Sequence, residues 1–425
     1  MLDSGTESAG NDTPMRRRHD GRHTDATLAL LAILCASWTP AAFGADSPGE
    51  GIVTSGERGG AIRLPELGVS LVIGGFVELN TIVDDPDASL SSLFSSRALD
   101  RDPNRASRFS LDGRDTRLNL DVRGTRDGDQ LRLFVEGDFD GSGGNEIATN
   151  SYSVRLRHAF ADYGPWRVGQ YWSALVDTEA SPSTIDPLAP VGRPFVRQAG
   201  IRHEWGGGER STFGLAIENP ESDVQDGDGS RLPSTDSAPD LHAYARRSFD
   251  GGGFANGHLR LAGLARWLSV NLDGETARAP GYALSLSGSL GDKEELADNV
   301  TFSLSAGEGF ARYIGELGGS GVDAVIVDGG TAIEAIPVVS GFVGYRHPWS
   351  ARHRSSIVFG GLRLDAPGEA PGALIESGYS VSVNWLTDPV DNTTVGVELI
   401  HGERTDVSGQ SADTVRGLLL VRASF

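Results

Sequence analysis

The chain has 425 residues, enough for two or three soluble domains or for one large barrel, and carries 37 basic against 58 acidic side chains, a formal net charge of −21. A surface this acidic repels phosphate backbones, which speaks against nucleic acid as a partner. The one cysteine, Cys35, leaves no internal disulfide framework and no cysteine-based metal site. Hydrophobic residues at 38% suffice to bury a core, and 57 glycines, about twice the usual share, suit turns and close-packed strands better than long helices.

Arg16, Arg17, Arg18 and Arg22 precede an apolar stretch, Ala26 to Trp38, that ends in Ala42-Phe43-Gly44. A basic start, a short apolar core and a small-x-small end predict a cleaved secretory signal peptide over 1–44, with Met15 as the expected translation start. Cys35 is preceded by the bulky Leu34 and sits inside the apolar run, which argues against lipidation. Residues 45–68 are read as a short, glycine-rich periplasmic segment. Beyond the leader no stretch approaches the ~18 apolar residues of a membrane-spanning helix. That excludes a helical transporter, not a protein that crosses with strands.

From residue 69 onward the dominant period is two. Leu118-Asn-Leu120-Asp-Val122, Leu131-Arg-Leu133-Phe-Val135 and Tyr379-Ser-Val381-Ser-Val383-Asn-Trp385 alternate apolar and polar. The pattern predicts sixteen strands, at 69–83, 108–124, 131–140, 152–163, 166–173, 197–205, 211–219, 239–249, 254–270, 281–290, 299–312, 334–347, 351–364, 376–387, 392–402 and 413–425. A shift of apolar parity between Leu111 and Leu118 predicts a bulge near Asp115-Thr116. The connections sort by parity. Odd ones (84–107, 141–151, 174–196, 220–238, 271–280, 313–333, 365–375, 403–412) read as long and even ones, such as Gly164-Pro165, as short. Short periplasmic turns alternating with long external loops characterise an outer-membrane barrel, and a soluble sandwich has no reason to sort its loops this way. The six tryptophans after the leader fall at or near strand ends, as expected of interfacial girdles in contact with outer-membrane lipid. The last strand ends on Phe425, the pattern of an assembly signal read by the barrel assembly machinery. Residues 69–425 are therefore expected to form an all-β, transmembrane antiparallel β-barrel of about 16 strands.

Several stretches resemble the DcaP-like family of trimeric outer-membrane porins: Ser70-Leu-Val-Ile-Gly74-Gly75-Phe76, Ser107-Arg108-Phe109-Ser110-Leu111-Asp112, Arg155-Leu-Arg157-His158-Ala159-Phe160, Val168-Gly169-Gln170-Tyr171-Trp172, and Gly307-Glu308-Gly309-Phe310-Ala311-Arg312. The resemblance is strongest over 107–202. It implies a homotrimer and a passive channel for small hydrophilic, preferably anionic, dicarboxylate-like solutes. The heptad-rich N-terminal segment that such proteins often carry has no counterpart in 46–68.

If apolar residues face lipid, alternate positions face water, and arginine on the lipid side at mid-membrane would cost ~2–4 kcal/mol. This assigns Arg108, Arg114, Arg117, Arg123, Arg132, Arg155, Arg157, Arg167 and Arg202 to the pore lining, with Arg246, Arg260 and Arg266 as further candidates. Asp112, Asp121, Glu136 and Asp138 share that wall. The loop 174–196 is read as an inward-folded third loop forming the constriction, bearing Asp177, Glu179, Asp186 and Arg193. Its carboxylates are expected to face the arginine row and set up a transverse field across the pore.

No H-E-x-x-H, nucleophile elbow or phosphate loop occurs, so no enzyme, cofactor or metal is expected. Asp223–Gly229 fails the calcium-loop spacing at Gln225 and Gly227 and reads as a solvated acidic loop. The alternative is a barrel that serves as an adhesin or receptor through its external loops.

Overall fold

Wall strands form where apolar and small polar residues alternate, because that pattern presents one face to lipid and the other to the lumen. In the computed structural model, which describes residues 54–55, 60–87, 93–99, 106–145, 151–208, 210–226, 229–291 and 296–425, these strands are β1 Val69–Asp85, β2 (Arg108–Asp112 resuming as Arg117–Arg126), β3 Asp129–Asp138, β4 Arg155–Tyr163, β5 Trp166–Trp172, β6 Arg197–Gly206, β7 Ser211–Glu218 and β8 Asp240–Phe249. They continue as β9 Gly257–Leu272, β10 Glu275–Leu290, β11 Asn299–Glu308, β12 Pro337–Pro348, β13 His353–Leu364, β14 Ile375–Thr387, β15 Thr393–Asp406 and β16 Ser411–Ser424. The two halves of β2 and two short segments, Thr54–Ser55 and Ile62–Leu64, bring the sheet to nineteen segments, so the wall itself has sixteen strands. Each strand pairs antiparallel with the next, and β16 pairs with β1 from Val415↔Asp85 to Ser424↔Phe76, which closes the barrel. The expected leader, 1–44, lies outside the described residues.

The alternation is carried through to exposure. On β10, Leu284 and Leu286 point outward and are exposed, while Ser285 and Ser287 point inward and are buried. Trp166, Trp205, Trp349 and Trp385 are exposed at the end of the barrel that carries the chain terminus, and Trp267 lies outward near the other end. Trp172 is not part of a girdle. Its ring packs 4.5 Å from Phe195 and beneath the Arg197 guanidinium.

The break in β2 is a bulge. Phe76 pairs with Arg117 and Asn80 with Asp112, so four residues of β2 oppose three of β1. Gly75 makes room for it, since a Cβ there would lie 2.1 Å from the Arg117 carbonyl oxygen. A second bulge, which the sequence reading missed, sits in β4. Glu136 pairs with His158 and Gly137 with Leu156, leaving Arg157 as the extra residue. The bulge turns the consecutive Arg157 and His158 to the inner face.

Two of the expected long loops are not loops. β9 and β10 continue through 271–280 and reverse at Asp273-Gly274, both with positive φ, while β15 and β16 run through 403–412 to a turn at 407–410. These residues look loop-like because strand beyond the membrane has water on both faces and loses its apolar alternation. The sixth loop, 309–336, holds a small hairpin of its own, Ala324–Val327 with Ala332–Ala335.

Candidate functional site

The third loop, 173–196, does not stand clear of the barrel; it runs along the inner wall from β7 to β16. Glu218 of β7 accepts from the Ala174 N–H at 2.6 Å. Ser380 Oγ of β14 accepts from Val191 N at 3.0 Å, and Asn384 donates to the Ser183 carbonyl at 2.7 Å. Glu398 of β15 takes the N–H groups of Ile185 and Asp186 at 2.9 and 3.0 Å. Glycines make the seat: a Cβ on Gly360 would lie 2.3 Å from the Val191 carbonyl oxygen, and one on Gly192 would lie 2.1 Å from that of Gly361.

This path decides where the carboxylates of the loop point. Asp177 accepts from His258 at 2.8 Å and from Ser287 Oγ at 2.7 Å, on β9 and β10. Burial pushes its carboxyl up, but the hydrogen bonds and charges of His258 and Arg260 outweigh burial and hold it at about 2. Glu179, exposed, pairs with Arg246 of β8. Asp186 is fully buried, accepts N–H groups from Phe94 of the first loop and from Leu188 and Ala189, and lies 3.6 Å from Arg416 of β16. Burial pushes its carboxyl up against the pull of Arg416. Arg193 donates within the loop, to the Pro187 and Ala189 carbonyls and Ser181 Oγ. The expectation that these carboxylates face the arginine row is therefore corrected. They turn toward β8–β16, and the loop residues that meet the arginine side are Val176 and Thr178, which share a recess with Arg132, Arg167 and Arg202.

The opposite side of the lumen, β2 to β6, is a lattice of ion pairs. Arg123 and Arg132 stand directly across from one another, as do Arg167 and Arg202. Like charges in those registers repel, and carboxylates interleave to offset them. Asp121 lies 2.7 Å from Arg123 and 3.0 Å from Arg132. Asp162 lies 2.6 Å from Arg167, and Glu204 lies 4.0 Å from Arg202. Nearer the loop end, Arg157 reaches Glu136 at 2.8 Å and Asp138 at 2.7 Å, Arg155 meets Asp138 at 2.7 Å, and Arg117 stands 3.7 Å from Glu136. Arg114 pairs with Asp112 in the β2 bulge, and Arg108 lies 3.9 Å from Asp87 at the loop rim. Phe425, at the other end, donates its N–H to the Gly75 carbonyl and leaves its ring exposed outward.

On the inner face of β2–β6, eight strand arginines (108, 117, 123, 132, 155, 157, 167, 202) meet six strand carboxylates (Asp112, Asp121, Glu136, Asp138, Asp162, Glu204). A ninth, Arg197, was not among the sequence candidates. It bonds His158 Nε2 at 3.3 Å, lies 3.8 Å over Trp172, and leaves Nη2 without a hydrogen-bond partner. By strand parity alone Arg197 falls outside the inward set; the signal that could have found it is the aromatic-rich Phe195-Val-Arg197 turn out of the third loop.

The remaining candidates serve the loops. Arg260 donates to the Ala174 carbonyl and Arg246 takes Glu179. Arg266 is fully buried between Asp240 at 3.3 Å and Asp323 at 2.9 Å, which fastens the sixth loop to β8 and β9.

A closed sixteen-stranded barrel with a long loop laid inside its lumen is a porin-type outer-membrane barrel. The chain belongs to the DcaP outer membrane protein family, which residues 87–425 match. The crystal structure of the outer membrane channel DcaP of Acinetobacter baumannii superposes with a TM-score of 0.73 at 22% identity, covering 84% of this chain and 98% of that one. An anion-selective porin from Comamonas acidovorans gives 0.56 at 13% identity, over 84% and 100%. OmpF of Salmonella typhi gives 0.53 at 11%, over 84% and 98%. No curated protein matches the chain.

Proposed function

We propose that this porin passes small hydrophilic solutes by passive diffusion and prefers anions, dicarboxylate-like compounds among them. The observation that carries the reading is the imbalance on the β2–β6 side, eight strand arginines against six strand carboxylates, with Arg197 added and the carboxylates of the third loop turned elsewhere. Narrow, low-dielectric walls focus such an excess and raise the local concentration of the opposite charge. The chain's net charge of −21 does not oppose this, because acidic residues such as Asp223, Asp226 and Asp236 belong to the fourth loop. The working unit is a homotrimer, by resemblance to the family.

Refolded protein in planar bilayers under a salt gradient tests the reading. The expected result is conductance in steps of three with a reversal potential on the anion side, shifted toward zero by Arg202→Gln. A cation-side reversal discards the anion preference, and cross-linking that stops at monomers discards the trimer.

A further inference from the structure

The inner face of β12–β16 is not that of a water-filled lumen. Inward positions of a channel wall are ordinarily polar, yet Leu362 and Leu364 of β13, Ile400 of β15 and Leu420 of β16 point inward and are buried. Loops supply what covers them. Phe94 and Leu99 of the first loop, Ile185 of the third and Leu317 of the sixth join them in one apolar cluster. On this side the barrel is filled by a core of its own, which removes apolar side chains from water as any protein interior does.

The first loop ties this core together. Phe94 donates its N–H to Asp186 of the third loop at 2.6 Å. Ser96 donates its N–H and its hydroxyl to Glu316 of the sixth loop at 2.9 and 2.8 Å, and Arg97 Nε donates to the Glu316 carbonyl at 2.9 Å. From the wall, Arg404 of β15 donates to the Arg97 carbonyl. The wall is shaped to receive the segment: a Cβ on Gly402 would lie 2.3 Å from the Phe94 ring, and one on Gly378 would lie 2.5 Å from Ser96 Oγ. Neither glycine has positive φ, so close approach rather than backbone conformation accounts for them.

The charged side chains buried in and beneath this core are Asp84, Asp186, Glu316 and Glu398 against Arg404 and Arg416. Carboxylates are in excess here, the reverse of the β2–β6 side. Exposed to the lumen, they would oppose the field of the arginine lattice.

We propose that first-loop residues 94–99 are a selectivity-determining strap: by closing the core of β12–β16 they keep its carboxylates out of the solute path and leave the arginine side to set the sign of the pore. The inference rests on the anion-passing reading above and deepens it, since it adds a second loop to the third as a determinant of what passes.

Gly402→Val tests the strap. The added side chain occupies the place of the Phe94 ring, while valine suits a strand and preserves the wall. In planar bilayers the variant is expected to conduct more than the wild type, with a reversal potential shifted toward the cation side. Heat-modifiable migration on gels confirms that the barrel is folded. A reversal potential left at the wild-type value in folded Gly402→Val channels overturns the inference, whatever the conductance does. A second variant reads the seat directly: Ser96→Cys with Gly378→Cys, in a Cys35→Ser background. A Cβ on Gly378 would lie 3.3 Å from that of Ser96, close to the ~3.5–4.5 Å of a disulfide. Oxidation is expected to form the bond and leave conductance and reversal potential as they were, because the strap is already seated. Folded barrels in which the bond does not form, or in which its formation changes the current, overturn the strap. A cation-side reversal potential in the wild type overturns the functional reading instead, and the shift produced by Gly402→Val still decides the strap.

Discussion

The two sides of the lumen use arginine differently. On β2–β6 the guanidinium groups pair with carboxylates of the same or the neighbouring strand, and several stay partly exposed: Arg123 at 47%, Arg155 at 34%, Arg167 at 31%. On β8–β16, Arg266 and Arg416 reach loop carboxylates and are fully buried. Solvated pairs add little to stability but leave charge within reach of a solute, whereas desolvated ones are hidden from a solute and costly to break on one side. A count of inward arginines therefore overstates the charge a solute can meet, because half of the barrel spends its arginines on fastening loops.

That contrast can be broken most strongly at Arg266. Arg266→Leu removes the guanidinium that lies between the buried Asp240 and Asp323, leaving Asp240 with Tyr313 and Asp323 with the Asp223 and Arg312 N–H groups; it should cost about 3–5 kcal/mol, seen as a lower midpoint for the loss of heat-modifiable migration. Asp177→Asn comes next. It weakens the grip of the third loop on His258 and Ser287 by about 1–3 kcal/mol, and should raise open-channel current noise. Acid tests the same contact. The Asp177 carboxyl sits at about 2, below its ordinary 3.8, so its contribution is complete above pH 4 and is lost as the pH falls through 2. Channels held at pH 4 should stay as quiet as at pH 7. The smallest effect on stability belongs to Arg123→Gln on the exposed lattice, under about 1 kcal/mol, while the reversal potential moves toward the cation side.

The wall was legible because lipid imposes its demand locally: each outward position must be apolar, so Leu118-Asn-Leu120 or Val381-Ser-Val383 declares its face within a few residues. The β2 bulge was legible for the same reason, as a slip in that parity. The bulge at Arg157 was not, since Arg157 and His158 are both polar and either could have been the one facing inward. Loop destinations were invisible. Asp186 finds Glu398 and Arg416 more than 200 residues along the chain, and no local pattern marks such a partner. The strand running through 271–280 had a usable sign in Asp273-Gly274, a dipeptide suited to tight hairpins, whereas the turn at 407–410 has no such mark.

The closure of β16 on β1 also has a bearing on assembly. Asp85 and Val415 are neighbours in the sheet but lie at opposite ends of the wall sequence. Until the last strand arrives, β1 presents a bare edge with unsatisfied N–H and C=O groups, and so does whichever strand is currently last. Such long-range pairing is slow to form. A chain cut short before Ser411 has no ring to complete, and it offers its open edges to other chains instead.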